Sequence, residues 1–355
     1  MQAASAKHPK GLFVLFFAEM WERFSYYGMR AMLVLYVTSG LMRTDRYAND
    51  DVYGSFTGLI WLSPLLGGYF ADRLWGNRRS IIRGGFLMAL GQVLMFVSAS
   101  YTVTDKPLAH TIMWVALSVL ILGMGFFKPN ISSLVGQLYP KGDKRLDSSY
   151  TIFYMGINLG SFIGPLICGG LGEQYDAAGQ PVQEAFKWGF LSAGIAMALG
   201  TLVFIWLKDK YLVGPDGSEL GVVPNQVTER NNNIAEGRET TASSMKGVAI
   251  WGTIAAVLLL VFRFVLDSDW IGAFIFSVAI GVSGLIIADK SLTTGERGRV
   301  MVIFLAAFFV IFFWAAFEQA GSSLTLFARD NVDRAYTIDT LLGNMVMGLL
   351  GMALV

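Results

Sequence analysis

The chain has 355 residues, of which 54% are hydrophobic and only 15% are charged. Soluble domains are usually about 45–50% apolar and about 25% charged, so this composition excludes a water-soluble globule, a disordered chain and a nucleic-acid binder. The net charge of +1 gives no reason to expect a polyanionic partner. A single cysteine, Cys168, excludes a disulfide framework and a cysteine-based metal cluster.

Apolar blocks long enough to cross a bilayer recur along the chain, and blocks of about 18 or more apolar residues predict membrane-spanning helices. The nine predicted spans are residues 11–38, 52–71, 84–103, 111–139, 148–172, 188–207, 247–266, 270–288 and 300–328. An apolar stretch at 340–355 begins a tenth span. The blocks lack the alternation over about ten residues that marks a β-barrel strand. We therefore predict an all-α, polytopic membrane protein.

The loops between the spans predict an orientation and a domain organisation. Most of the 27 Lys and Arg residues fall in alternate loops, beginning with the residues before the first span, which predicts a cytoplasmic N-terminus. A polar stretch after the sixth span is typical of a linker. The predicted units are a six-helix bundle (1–207), a cytoplasmic linker (208–246), an inserted two-helix hairpin (247–290) and the start of a second bundle (291–355). This order is typical of transporters built from repeated halves.

Charged side chains inside the first span follow one helical face. At intervals of three or four residues come Glu19, Glu22, Arg23, Tyr26, Tyr27 and Arg30. A charge at mid-bilayer costs about 2.5–3.5 kcal/mol and normally faces the bundle interior. We interpret the stripe as the lining of a water-filled path. The alternative is that the charges neutralise one another and anchor helix packing.

Two later spans also carry an ionisable residue far from their ends. Lys128 lies deep in the fourth span, although a snorkelling lysine is an alternative interpretation. Glu318 lies near the middle of the ninth predicted span, which is typical of a proton or ion site, with structural pairing as the alternative. Tyr154 and Asn158 share one face of the fifth span, where Asn158 could instead make a plain interhelical hydrogen bond.

The sequence contains no motif of an enzyme or a nucleotide site. We find no H-E-x-x-H, no phosphate-binding loop and no G-x-S-x-G. We therefore expect no enzyme activity, no metal site and no cofactor. Without a nucleotide site, transport would run on an ion gradient.

Separate motifs, in order along the chain, resemble the proton-dependent oligopeptide transporter family of the major facilitator superfamily, bacterial branch. They are E-x-x-E-R-F followed by Tyr-Tyr-Gly at 19–28, Phe-Phe-Lys-Pro-Asn at 126–130, Phe-Tyr-Met-Gly-Ile-Asn-Leu-Gly at 153–160, and Phe-Trp with Glu-Gln at 313–319. The loop at 67–79 is similar to the superfamily's signature between its second and third helices. The predicted hairpin at 247–290 resembles the extra pair of helices found in the family's bacterial members.

The resemblance implies a major facilitator-type bundle that imports di- and tripeptides together with protons by alternating access. It implies a protein of the bacterial inner membrane, with the proton gradient as the energy source. We expect a monomer in the lipid bilayer, with peptide and protons as its ligands and no nucleic-acid partner.

Carried over by position, the resemblance also implies residue roles. The proton-coupling residues would be Glu19, Glu22, Arg23 and Glu318. The substrate-binding residues would be Arg23, Tyr26, Tyr27, Arg30, Trp61, Lys128, Tyr154, Asn158 and Trp314. Within this set, Arg23 and Lys128 would receive the peptide carboxylate. Arg30 and Glu318 would form an outer gate pair that protonation releases, and the rival pairing joins Glu318 to Lys128.

Two departures from the family keep other functions open. The family has twelve core helices, and this sequence contains about eight of them, so the acid that receives the peptide amino group on the tenth helix is not in it. The histidine used by animal relatives has no counterpart, which leaves the carboxylates to carry the proton. The alternatives are a transporter of another small solute, such as nitrate or another anion, and an incomplete regulatory half-transporter.

Overall fold

The computed structural model describes residues 7–222, 245–289 and 292–332. Within these residues the chain is almost entirely helical, and each of the nine predicted spans coincides with helix. The all-α prediction is therefore confirmed. The apolar stretch at 340–355 and most of the predicted linker lie outside the described residues.

The helices follow one another along the described parts of the chain. They are α1 (Lys10–Leu35), α2 (Ser55–Leu62), α3 (Pro64–Phe70), α4 (Gly76–Ser100), α5 (Lys106–Gln137), α6 (Leu146–Gly172), α7 (Phe186–Tyr211), α8 (Met245–Phe264), α9 (Trp270–Ile287), α10 (Thr294–Phe317) and α11 (Ser323–Asn331). Wider π-helical turns at Tyr36–Gly40, Tyr47–Gly54 and Ala71–Trp75 extend the first two spans, and a 3-10 turn at Glu318–Gly321 joins α10 to α11.

Seven helical stretches in the described residues are long and apolar enough to cross a membrane. One of them, Tyr47–Ser100, contains both the second and the third predicted spans. The first helix is not among the seven, and it carries four charged side chains in its interior. Its charged face must therefore be buried against other helices for α1 to lie in a bilayer.

The first six spans form one packed bundle. Helix α1 packs against α6 and α7, and α4 packs against α5 and α7. Large side chains such as Phe127, Phe190 and Phe204 are fully buried between these helices. Other large apolar side chains, including Phe13 and Phe86, point outward, as expected of a surface that faces lipid.

Glycines on α6 allow α1 to approach very closely. A Cβ atom on Gly160 would lie 2.8 Å from the Cβ of Arg23, and one on Gly164 would lie 3.0 Å from the Cα of Phe24. Small residues at such contacts permit close packing of membrane helices. This contact sets the position of the charged stripe of α1.

We expect Gly160→Ala to lower the melting temperature of the detergent-solubilised protein. The added methyl group has no room, and overpacking typically costs about 1–3 kcal/mol. Gly169→Ala is the matched control, because a Cβ at Gly169 on the same helix would have no heavy atom within 4 Å. Equal melting temperatures for the two variants would contradict the close contact.

The polar stretch after the sixth span begins as part of the bundle rather than as a free linker. Helix α7 continues past the predicted boundary at residue 207 to Tyr211, and Leu212 is fully buried. The Arg78 side chain of α4 lies 3.1 Å from Asp209, and its backbone N–H donates to the Gly221 carbonyl at 3.0 Å. The described start of the predicted linker is therefore fixed to α4.

The inserted hairpin packs against the second span. Helices α8 and α9 pack against each other, and Asp269 caps the start of α9 by accepting hydrogen bonds from two backbone N–H groups. Ile275 of α9 approaches Gly58 of α2. Helix α10 then begins with a capping box between Thr293 and Glu296, which satisfies backbone N–H groups of its first turn.

Candidate functional site

Four ionisable side chains form an inner charge cluster where α1 meets α5. Arg23 donates two hydrogen bonds to Glu22, from Nε at 2.5 Å and from Nη2 at 2.8 Å. Arg23 Nε also lies 3.4 Å from Glu19 Oε1, the oxygen to which Lys128 Nζ donates. Glu19 and Glu22 have no solvent-exposed surface, and Arg23 is 2% exposed. Two carboxylates and two cations balance, so the inner cluster is neutral when all four groups are ionised.

Arg23 and Lys128, which the resemblance assigns to the peptide carboxylate, are not free cations in this structure. Each is paired with a carboxylate of α1, because an unpaired charge at this depth would be costly. For this part of α1, mutual neutralisation describes the structure better than a water-filled path. The Lys128 side chain alone keeps an appreciable exposed fraction, 24%.

An outer charge cluster lies two turns further along α1. Arg30 Nη2 lies 2.6 Å from Glu318 Oε2, and Arg30 Nε donates to the Tyr53 hydroxyl at 2.6 Å. The Tyr53 hydroxyl in turn lies 3.1 Å from the Glu318 carbonyl oxygen and 3.3 Å from Glu318 Oε2. Helix α10 ends just before Glu318, and a helix end leaves carbonyl groups without intrahelical partners. The break in the helix therefore gives the arginine and the tyrosine a backbone acceptor.

The predicted pairing of Arg30 with Glu318 is present, and the rival pairing is not, since Lys128 contacts Glu19. The gate role of the pair stays a prediction. Sequence reasoning missed Tyr53, because no spacing or charge pattern distinguished it from the other tyrosines of the chain.

A second, more exposed ion pair also connects α11 to the first spans. Arg329 Nη2 lies 3.0 Å from Asp45 Oδ2, and Arg329 Nη1 donates to Thr38 Oγ1 at 3.2 Å. The Asp45 side chain is 50% exposed, against 21% for Glu318. Solvent screens such a pair, so it contributes less than the buried pair.

A cavity of about 430 Å³ opens beside the outer cluster, between α1, α6 and the end of α10. Its walls include five of the predicted substrate-binding residues: Tyr27, Arg30, Tyr154, Asn158 and Trp314. Pockets of about 300–1,000 Å³ with apolar walls and a few polar groups are typical of small-molecule sites. One guanidinium, one amide and four aromatic rings suit a small molecule that carries an anionic group.

The other four predicted binding residues lie outside this cavity: Arg23 and Lys128 belong to the inner cluster, and Tyr26 and Trp61 lie elsewhere. Tyr26 is 2% exposed and its ring packs between those of Tyr27 and Phe56, so the expectation that it lines the pocket is wrong. Trp61 lines a second, more apolar cavity of about 630 Å³, which it shares with Trp314 and Glu318.

Three comparisons with known proteins bear on this arrangement. The chain is 33% identical over 334 residues to the uncharacterized transporter YclF of Bacillus subtilis, covering 92% of this chain and 61% of the relative. It is 33% identical to the peptide transporter YePEPT of Yersinia enterocolitica, covering 92% and 61%. It is 31% identical to a di-/tripeptide transporter of Lactococcus lactis, covering 92% and 62%. The chain thus spans about three fifths of the length of the curated relatives it matches.

Solved structures give the same result. A POT family transporter in complex with 5-aminolevulinic acid matches with a TM-score of 0.68 and 30% identity, over 95% of this chain and 65% of that chain. A mutant peptide transporter POT in complex with alafosfalin matches with a TM-score of 0.66 and 30% identity, over 92% and 62%. The POT family model itself matches residues 78–351. With this match over most of its length, the chain belongs to the POT family, a family of multi-span membrane transporters.

Proposed function

We propose that the protein is a proton-coupled symporter that imports di- and tripeptides by alternating access. The observation that carries the proposal is the placement of a binding cavity beside one of two charge clusters that share a single helix, α1. The names of the relatives from Yersinia and Lactococcus support peptide as the substrate class.

In this mechanism the outer cluster is the entry gate. Protonation of Glu318 removes the charge that holds Arg30, and a buried ion pair that loses one charge is weakened by about 3–5 kcal/mol. The cavity then opens outward, and Arg30 is free to accept the substrate carboxylate. Asn158 and the aromatic walls orient the remainder of the peptide.

The inner cluster couples the inward step to the proton. Glu22 is buried against Arg23, and a proton on Glu22 or Glu19 would release Arg23 or Lys128 to bind the peptide carboxylate. Loss of the proton to the cytoplasm restores the carboxylate pairs and expels the carboxylate of the peptide. The site residues implied by the resemblance thus act in sequence, with charge neutralisation as the switch.

The remaining parts of the proposal concern the setting of the transporter. We place it in the bacterial inner membrane with a cytoplasmic N-terminus, as a monomer that needs no cofactor and catalyses no reaction. The excess of basic residues in alternate loops supports this orientation.

A second candidate is transport of another small anionic solute. The solved structure with 5-aminolevulinic acid, at 30% identity, favours this candidate because that ligand is not a peptide. A single arginine at the edge of the cavity is compatible with either kind of substrate.

Uptake by proteoliposomes separates the two candidates. Liposomes with an acidic exterior should accumulate a labelled dipeptide against its gradient, and unlabelled tripeptide should compete while nitrate should not. Accumulation that needs no pH gradient, or competition by nitrate alone, would overturn the proposal.

A further inference from the structure

The two charge clusters of α1 are too far apart to exchange a proton directly. Glu22 and Arg30 are eight positions apart on a continuous helix, which is about 12 Å at 1.5 Å per residue. A hydrogen bond spans only about 3 Å. A proton that enters at Glu318 and leaves at Glu22 therefore needs intermediate groups.

Tyr26 lies in the gap between the clusters, one turn from Glu22 and one turn from Arg30 on the same helical face. Its hydroxyl is buried and has no hydrogen-bond partner among the described residues. Leaving a buried polar group unsatisfied costs about 1–3 kcal/mol, and bound water usually satisfies such groups. A water that enters the bundle during transport would therefore satisfy this hydroxyl.

The charged and titratable groups around this hydroxyl belong to both clusters. The Arg23 guanidinium lies 5.1 Å from the centre of the Tyr26 ring. On the other side, Arg30 lies one turn further along α1 and holds Tyr53 and Glu318. Tyr26 thus lies between the arginine that holds Glu22 and the arginine that holds Glu318.

We propose that the Tyr26 hydroxyl, with one water on each side, relays the proton from Glu318 to Glu22. The neutral carboxyl of Glu318 gives its proton to the first water, which protonates the Tyr26 oxygen as that oxygen releases its own proton to the second water. The second water protonates the Glu22 carboxylate. One proton moves, Glu318 ends as a carboxylate, Glu22 ends neutral, and Tyr26 is unchanged. The inference rests on the proposed proton coupling and adds the residue that connects its two ends.

Tyr26→Phe tests the relay, because it deletes one oxygen and keeps the ring. In proteoliposomes of the full-length protein, the initial rate of pH-driven dipeptide uptake should fall about tenfold or more. Peptide exchange at equal pH on both sides should stay within about twofold of the unmodified protein. The rise of uptake with falling external pH should flatten.

Tyr36→Phe is the matched control, since Tyr36 is also fully buried at the end of the first span, and its hydroxyl bonds Ser98 at 2.7 Å away from both clusters. Tyr36→Phe should leave the rates of peptide uptake and peptide exchange within about twofold of those of the unmodified protein. Tyr26→Gln, which also lacks the hydroxyl, should show the same loss if Tyr26→Phe does not fold.

Three results have distinct meanings. Normal pH-driven uptake by either Tyr26 variant would overturn the relay. An equal fall of uptake and exchange would also overturn it, because it would show a structural role. Failure of the unmodified protein to accumulate dipeptide would instead contradict the proposed function.

Discussion

Replacing Lys128 with Ala should reduce proton-driven peptide uptake at least about a hundredfold. The inner cluster balances two carboxylates against two cations, and the variant leaves it with one excess negative charge. In the proposed mechanism, Lys128 is one of the two cations that a protonated carboxyl releases to bind the peptide carboxylate. The variant therefore loses both the counter-charge of Glu19 and a substrate contact. Initial rates of labelled dipeptide uptake under an imposed pH gradient measure the effect.

Lys187→Ala provides the control for this prediction. Lys187 also pairs with a glutamate, Glu184 at 3.0 Å, and its side chain has nearly the same exposed fraction, 22% against 24% for Lys128. It lies at the start of α7 and touches neither charge cluster, so uptake should change less than about twofold. Unchanged uptake by Lys128→Ala would remove this lysine from the mechanism.

Replacing Glu318 with Gln should leave the outer gate open for much more of the time. Arg30 is 5% exposed, and the neutral amide removes its only side-chain counter-charge among the described residues. Breaking a buried pair costs about 3–5 kcal/mol. Because the pair exists only when the gate is closed, the substitution destabilises the closed state and not the open one. A cysteine introduced at Ser161, on the cavity wall, should react with an external membrane-impermeant maleimide at least about tenfold faster in this variant. The native Cys168 is fully buried and gives little background.

Asp45→Asn is the matched change in the exposed ion pair. It also removes a carboxylate that joins α11 to the first spans, but surface pairs contribute only about 0–1 kcal/mol. Labelling of the Ser161→Cys protein should therefore increase far less than with Glu318→Gln. Equal labelling rates in the two variants would show that the buried pair does not control the outer opening.

Hydropathy predicted the spans because the cost of burying polar groups in lipid is set locally, residue by residue. The pairing of Arg30 with Glu318 was implied by the resemblance to the family, and the structure contains this pair and not the rival one. Motifs matched in order along the chain thus predicted a contact between residues far apart in the sequence.

Side-chain partners between helices were the part that the sequence could not determine. The pairing of Lys128 with Glu19 could not be predicted, because it depends on how α5 packs against α1. The contact of Tyr53 with Arg30, and the burial of Tyr26 while Tyr27 lines the cavity, depend on how the helices are rotated against one another. The spacing of residues in a sequence predicts which face of a helix is buried only to within about one residue.

The start of the predicted linker illustrates the same limit at the membrane surface. Its residues are polar, as a linker's are, yet Leu212 is buried and Gly221 is bonded to Arg78. The residue that holds this segment in place is Arg78, a buried arginine whose partners come from a distant part of the chain. Composition alone could not distinguish a fixed loop from a free one.

Peptide-triggered proton entry tests the coupling between the two clusters and the substrate most directly. Proteoliposomes loaded with a pH-sensitive dye, at equal pH on both sides and with an inside-negative potential, receive an unlabelled dipeptide outside. We expect the lumen to acidify on addition of the dipeptide, and Glu22→Gln to abolish the acidification. Entry of labelled dipeptide without any change in luminal pH would contradict proton coupling through α1.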